Sequence, residues 1–253
     1  MLLAIDTATR MAGLALYDPA AGRILGEETW YSNDNHSVEL MPRLARLMEQ
    51  QHLAPASLTG LAGSLGPGSF TGLRTGLSTA KGLVQALKVP VVGIPTLEVT
   101  ARPHMGQRLP IWAILQAGRG RICAAHFVRQ RGTWRRQGSY LLTTAEALGD
   151  QVDDTPALFC GEIDAREARL IRERLGDQAV VVTPAASPRR AAYLAEIGWE
   201  RLARGDYDNP VTLSPTYLHQ DTLYPIPTEI APLPSLTPAI SQGEREERGT
   251  ETD

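Results

Sequence analysis

Residues 63–76 read GSLGPGSFTGLRTG, and this stretch limits the folds open to the chain more than any other. Five glycines and four hydroxyl residues stand there between two apolar segments. Such a run either wraps an anion with its backbone or lets something approach closely. A Walker A loop needs G-x-x-x-x-G-K-[ST], so that backbone N–H groups cradle the phosphates and the lysine reaches them. Here Lys81 follows Ala80 and precedes Gly82, and the pattern fails. A dinucleotide fingerprint needs G-x-G-x-x-G between strand and helix. GPGSFTG is one residue too long, and Pro67 removes a donor N–H. VPVVGIP stands where the acidic residue of that motif would fall. Ser69, Thr71 and the N–H groups of a following helix could still hold an anion; a tight turn with a capped helix is the plainer alternative.

That helix is expected over 73–87. On it, Gly72, Thr75, Gly76, Thr79, Ala80 and Leu83 share one side at i, i+3, i+4 spacing. A glycine in a helix interior costs about 1 kcal/mol relative to alanine, so the small side implies a close neighbour. Spacing leaves open whether that neighbour is in the same domain or in another chain.

The flanking pattern is α/β. Strands are expected at 2–6, 13–17, 24–31, 60–66 and 89–95. A helix over 37–51 carries Val38, Leu40, Met41, Leu44, Leu47 and Met48 on one side, with Asn35 or Ser37 as cap and Pro42 kinking or tightening it. Thr96 is a plausible cap for the next helix. A second series opens with PIWAILQAGRGRICAAHFV at 110–128: apolar strand, polar residue, small-residue turn, returning strand. LLAIDTATRMAGLALY shows the same order, with Asp6 opposite Gln116. This suggests two lobes built on one plan. An irregular edge (129–142), a helix from Thr144, a strand at ALFCG, a helix over 164–175, a strand at AVVVTP and a helix over 187–205 with Pro188 in its first turn complete the series. The expected division is an N-terminal lobe over 1–105, a C-terminal lobe over 106–224 and a tail over 225–253. The tail is rich in proline and then in charge, and is expected to be disordered.

The chain has 253 residues and a net charge of -3, so no basic field advertises direct nucleic-acid binding. Its two cysteines, Cys123 and Cys160, sit in apolar runs and suggest buried thiols in a reducing compartment. The first residues lack a secretory signal pattern and no apolar run approaches the ~20 residues that cross a bilayer. A cytoplasmic location without membrane attachment is expected.

GPGSFTGLRTG, with LAIDTAT near the start and PTYLHQ near residue 220, resembles the TsaB family, formerly YeaZ. The resemblance implies the actin-like ATPase (ASKHA) fold, with two ribonuclease-H-like lobes. It implies a non-catalytic scaffold and dimerisation subunit that binds and activates the threonylcarbamoyltransferase TsaD. With TsaE, these proteins make the tRNA nucleoside threonylcarbamoyladenosine (t6A). On this basis helices 37–51 and 73–87 dock TsaD through Leu40, Leu44, Leu47, Gly72, Thr75, Gly76, Thr79, Ala80 and Leu83. Gly76→Leu or Ala80→Arg would then abolish docking and leave the fold intact. tRNA is reached through the complex, and a homodimer through the same helices is open to the chain when TsaD is absent.

The resemblance also marks Asp6, Thr7, Thr9 and Gln116 as the remnant of a nucleotide cleft, since actin-like ATPases place a metal-orienting Asp in the first hairpin. A turn-capping role for Asp6 is the alternative. The second hairpin departs from the usual DAR, reading Gln116-Ala117-Gly118-Arg119; a Gln is no base and a poor metal ligand. No histidine pair stands four apart among His36, His52, His104, His126 and His219, so the metal pair of TsaD-like enzymes is missing. His36 is expected to be solvated or capping, and His126 hydrogen-bonded in the core. No catalytic residue, metal or required cofactor is assigned, and ATP at the complex stays open. The rivals are a stand-alone actin-like ATPase or kinase, lost on Asp6→Ala, and a peptidase, for which no nucleophile–histidine motif stands in the sequence.

Overall fold

The computed structural model describes residues 1–33, 35–153 and 155–217. The proline-rich tail and His219 lie outside the described residues. The first sheet holds β1 (Leu2–Asp6), β2 (Met11–Asp18), β3 (Arg23–Tyr31), β4 (Gly60–Gly66) and β5 (Val91–Pro95), in the order β3-β2-β1-β4-β5. The second holds β6 (Ile111–Gln116), β7 (Ile122–Gln130), β8 (Thr133–Thr143), β9 (Ala157–Gly161) and β10 (Ala179–Val181), in the order β10-β9-β6-β7-β8. Reversed, the second order maps strand for strand onto the first. In each, three antiparallel strands form a meander and two further strands add in parallel. Asp6 and Gln116 end the matching strands β1 and β6. The recurrence seen in the sequence is therefore a recurrence of topology.

Helices follow the same plan: α1 (His36–Gln50), α2 (Phe70–Leu87) and α3 (Thr96–Ala101), then α4 (Ala145–Gly149), α5 (Ala165–Leu175) and α6 (Ala191–Leu202). Both faces of β1 are buried. Leu3 and Ile5 meet Leu40, Leu44, Leu47, Leu77 and Ala80 of α1 and α2. Leu2 and Ala4 meet Leu194, Ala195 and Ile197 of α6. The third helix of each set crosses to the other sheet: Leu97 and Ala101 of α3 pack with Ile111, Ala113 and Leu115 of β6. So α6, within the span expected for the second lobe, covers the first sheet, and α3 joins the second. This exchange welds the two layers into one core. On the far side of the second sheet, Ala145, Leu148 and Ile171 of α4 and α5 cover Trp112, Ile114 and Phe159.

Several expectations are corrected locally. The stretch expected as irregular, 129–142, is largely strand β8, an edge strand whose exposed polar residues hide the alternation. Helix α6 begins at Ala191, after Pro188. Asn35 precedes α1 without a side-chain cap, and the helix runs unbroken through the exposed Pro42. Thr96 is no cap; its buried hydroxyl accepts the Gly66 N–H at 3.0 Å. His36 is buried, with Nε2 2.9 Å from the Thr9 carbonyl oxygen, and His126 stacks on Trp112 with ring centroids 4.4 Å apart. Cys123 and Cys160 are buried free thiols, and burial pushes Cys123 up to about 12.

The small side of α2 has its neighbour inside the chain. A Cβ at Gly76 would lie 2.2 Å from Thr7 Oγ1, and one at Gly72 would lie 2.2 Å from the Thr7 carbonyl oxygen. Thr7 Oγ1 donates to the Gly72 carbonyl at 2.7 Å. Gly76→Ala should therefore lower stability by about 1–3 kcal/mol through overpacking. Gly82, on the open side, has no atom within 4 Å of its Cβ position; Gly82→Ala should raise stability by about 1 kcal/mol through helix propensity. Urea melts of the two variants check this: equal midpoints would refute the close approach.

Burial pushes the Glu98 carboxyl of α3 up to about 7, with Arg102 and Arg201 opposing. An unfolded Glu titrates near ~4.3. The folded state thus holds the extra proton between those values, and its stability is full below the lower one and is lost as pH rises to about 7. Glu98→Gln should flatten this slope in melts across that window; an unchanged slope would contradict it.

Candidate functional site

The hairpin turns of both sheets and the segments after β4 and β9 face one another across a cleft of about 850 Å3. Thr9, Arg10 and Met11 line it from the first hairpin, Tyr31 from β3 and Gly68, Ser69 and Phe70 from the start of α2. Gln116, Ala117 and Gly118 line it from the second hairpin, with Glu162, Ile163 and Asp164 after β9. Ser69 caps α2 by accepting the Gly72 N–H at 3.2 Å, and its own N–H donates to the Ala8 carbonyl at 2.6 Å. The glycine-rich stretch is thus tied to the first hairpin at both its backbone and its small side chains.

The Asp6 carboxylate is buried and fully engaged. Oδ1 accepts the Ala8 N–H at 3.0 Å and the Ser64 hydroxyl at 2.9 Å. Oδ2 takes the Nε–H of Arg189, whose side chain is 1% exposed. Arg189 also donates to Thr9 Oγ1 and the Met11 carbonyl, each at 3.1 Å, and reaches Glu162 at 3.5 Å. The Thr9 hydroxyl donates to Glu162. Burial alone pulls the Arg189 pKa down, but Asp6 and Glu162 outweigh it and raise it. This guanidinium is a permanent cation paired with Asp6 and bonded to Thr9 and Glu162, which line the cleft.

Gln116 completes the layer from the second lobe. Its Nε2 donates to the Glu162 carbonyl at 3.1 Å and to Glu167 Oε2 at 2.6 Å. Glu167 also closes the capping box of α5 with Asp164. An Asp at 116 would set a carboxylate against Glu167, whereas the Gln amide donates to both acceptors. The structure therefore brings Asp6, Thr9 and Gln116 into one network and turns Thr7 away, onto α2. Sequence reasoning missed Arg189 and Glu162. The signal for Arg189 was the pair of arginines just before α6, where the helix dipole disfavours cations. Among the described residues, no group of three or more His, Cys, Asp and Glu side chains is arranged to hold a metal, and no helix is long and apolar enough to cross a membrane.

The expected docking residues are redistributed. Leu40, Leu44, Leu47, Gly72, Gly76 and Ala80 are buried against the chain's own first sheet and cannot form an open face. The apolar side of each helix was legible, but its cover is internal. Gly76→Leu and Ala80→Arg would accordingly break the fold. Thr75, Thr79 and Leu83 remain partly exposed. The open sides carry Val38 and Met41 on α1, 68% and 47% exposed, and Ser78 and Gly82 on α2.

Comparison with known proteins bears on this geometry. A family model described as "TsaD: tRNA N6-adenosine threonylcarbamoyltransferase" matches residues 27–186. The chain is 30% identical over 206 residues to the tRNA threonylcarbamoyladenosine biosynthesis protein TsaB of Bacillus subtilis, covering 80% of this chain and 88% of that one. It is 25% identical over 154 residues to the Escherichia coli protein of the same name, covering 60% of this chain and 65% of that one. The solved structure of YeaZ from Pseudomonas aeruginosa superposes with a TM-score of 0.69 at 24% identity, over 86% of this chain and 99% of that one, and shares its fold.

Removing one partner of a buried ion pair typically costs about 3–5 kcal/mol, because the other charge is left uncompensated. Arg189→Met should lower stability by about that amount, and Asp6→Asn in the same chain should recover much of it. A double-mutant cycle in urea checks the pair; additive losses would show that it is not coupled.

Proposed function

The chain belongs to the TsaB (YeaZ) family, whose named members serve tRNA threonylcarbamoyladenosine biosynthesis, and on that premise we propose that it is a non-catalytic scaffold subunit that binds and activates a TsaD threonylcarbamoyltransferase. One observation carries the reading. The carboxylate at the position of the ATPase aspartate is neutralised by a buried arginine of its own chain. A divalent ion brought to Asp6 would have to displace that guanidinium and leave it buried without its main counter-charge, which is strongly unfavourable. Chemistry then belongs to the partner, and this chain supplies surface.

That surface is the outward side of α1 and α2, with Val38 and Met41 at its centre and Gly82 allowing close approach. Thr75, Thr79 and Leu83 form its margin. TsaE and tRNA join the assembled pair, and the chain self-associates through the same side when TsaD is absent. The stand-alone ATPase reading requires a free carboxylate at Asp6, which the Arg189 pairing opposes.

Met41→Glu and Gly82→Arg lie on exposed positions; the first should leave the thermal midpoint unchanged and the second should not lower it, while each weakens TsaD binding at least about tenfold, or ~1.4 kcal/mol. Size-exclusion chromatography with multi-angle scattering, with and without TsaD, reads the complex directly. Unchanged co-elution with TsaD for both variants would sink the docking side.

A further inference from the structure

The segment leaving α6 is stitched across the first lobe and reaches the lip of the cleft at Tyr217. The Asp208 N–H donates to the Val91 carbonyl at 2.8 Å, and its carboxylate accepts the Gly93 N–H at 2.7 Å. Leu213 is buried in the core under α1 and α2. The Thr216 N–H donates to the Leu65 carbonyl at 2.7 Å. Tyr217 then accepts a hydrogen bond from Arg74 Nε at 2.9 Å, with its ring 5.0 Å from that of Phe70. The Arg74 guanidinium lies 3.8 Å from the centre of the Phe70 ring. Phe70 itself lines the cleft, so Tyr217 lies beside the opening.

The opening has the character of a groove for an apolar, weakly charged chain. Tyr31 and Phe70 line it while 60% and 54% exposed, and Met11, Ala117 and Ile163 add apolar surface. Its polar floor is already consumed: Glu162 is held by Arg189 and Thr9, and Asp164 caps α5. An anionic ligand would meet those carboxylates. Residues 225–243, PIPTEIAPLPSLTPAISQG, begin eight residues beyond 217, with Glu229 as their single charge. Proline-rich segments dock aromatic-lined grooves with little ordering cost, because the ring already fixes φ. The intervening residues 218–224 span up to about 25 Å when extended, enough to turn back from Tyr217 into the cleft. Tethering raises the effective concentration to the millimolar range, so weak contacts suffice.

We propose that the cleft between the lobes is the seat of the chain's own proline-rich segment, residues 225–243, gripped by Tyr31 and Phe70. The seat involves the cleft walls rather than Val38, Met41 and Gly82, so its test is separate from that of TsaD docking.

Photo-crosslinking of the full chain tests this. Tyr31→p-benzoyl-phenylalanine and, separately, Phe70→p-benzoyl-phenylalanine place a probe at each exposed ring. Irradiation of dilute protein and peptide mapping should give a monomer-sized product joining the probe to a peptide within 225–243. The product should be lost when Pro225, Pro227, Pro232 and Pro234 are all changed to Ser in the same chain, with an unchanged thermal midpoint. Covalent dimers alone, links confined to residues 1–217, or an undiminished product in the serine variant would each overturn the proposal.

Discussion

The Arg189 guanidinium organises the centre of the molecule. It comes from the segment before α6, which packs on the first sheet, and reaches Asp6 of β1 and Glu162 after β9. One side chain thus ties the first strand of the first lobe to a turn of the second. The arrangement is stable because every group is answered. Asp6 receives donors from Ala8, Ser64 and Arg189, and Glu162 receives them from Thr9, Arg189 and the Gln116 backbone N–H. A partly answered network of this kind would cost more than an apolar core.

Around that centre, the glycines of α2 and the exchange of α3 and α6 do complementary things. The glycines let α2 lie against the first hairpin, so the helix and the Asp6 turn are one rigid unit. The exchanged helices make each lobe depend on the other for its cover. Together they define a cleft whose floor is neutralised and whose rim is aromatic.

Much of the frame was legible in the sequence. Alternation and apolar runs located β1, β4, β6 and β9, and the recurrence of the two hairpins anticipated sheets of matching order. Spacing also identified the small side of α2 and the apolar side of α1. It could not say what covers them, because periodicity marks a buried side without naming its partner: Leu40, Leu44, Leu47, Gly72, Gly76 and Ala80 are covered from within, while Val38 and Met41, assigned to the same apolar side, are exposed. Strand β8 was hidden because an edge strand can stay polar on one side. The Arg189–Asp6 pair was hidden by distance, its members standing 183 residues apart. Gln116 could be judged a poor ligand from chemistry alone, but its fit to Glu167 required the fold.

The central claim is that the Asp6 cleft performs no phosphoryl chemistry of its own. Steady-state ATP hydrolysis by the purified chain, alone and with TsaD, addresses it most directly. The account expects no turnover by the isolated chain with magnesium and, in the complex, turnover that survives Asp6→Asn wherever that variant still binds TsaD. Hydrolysis by the isolated chain that vanishes on Asp6→Asn, with the fold retained, would contradict it.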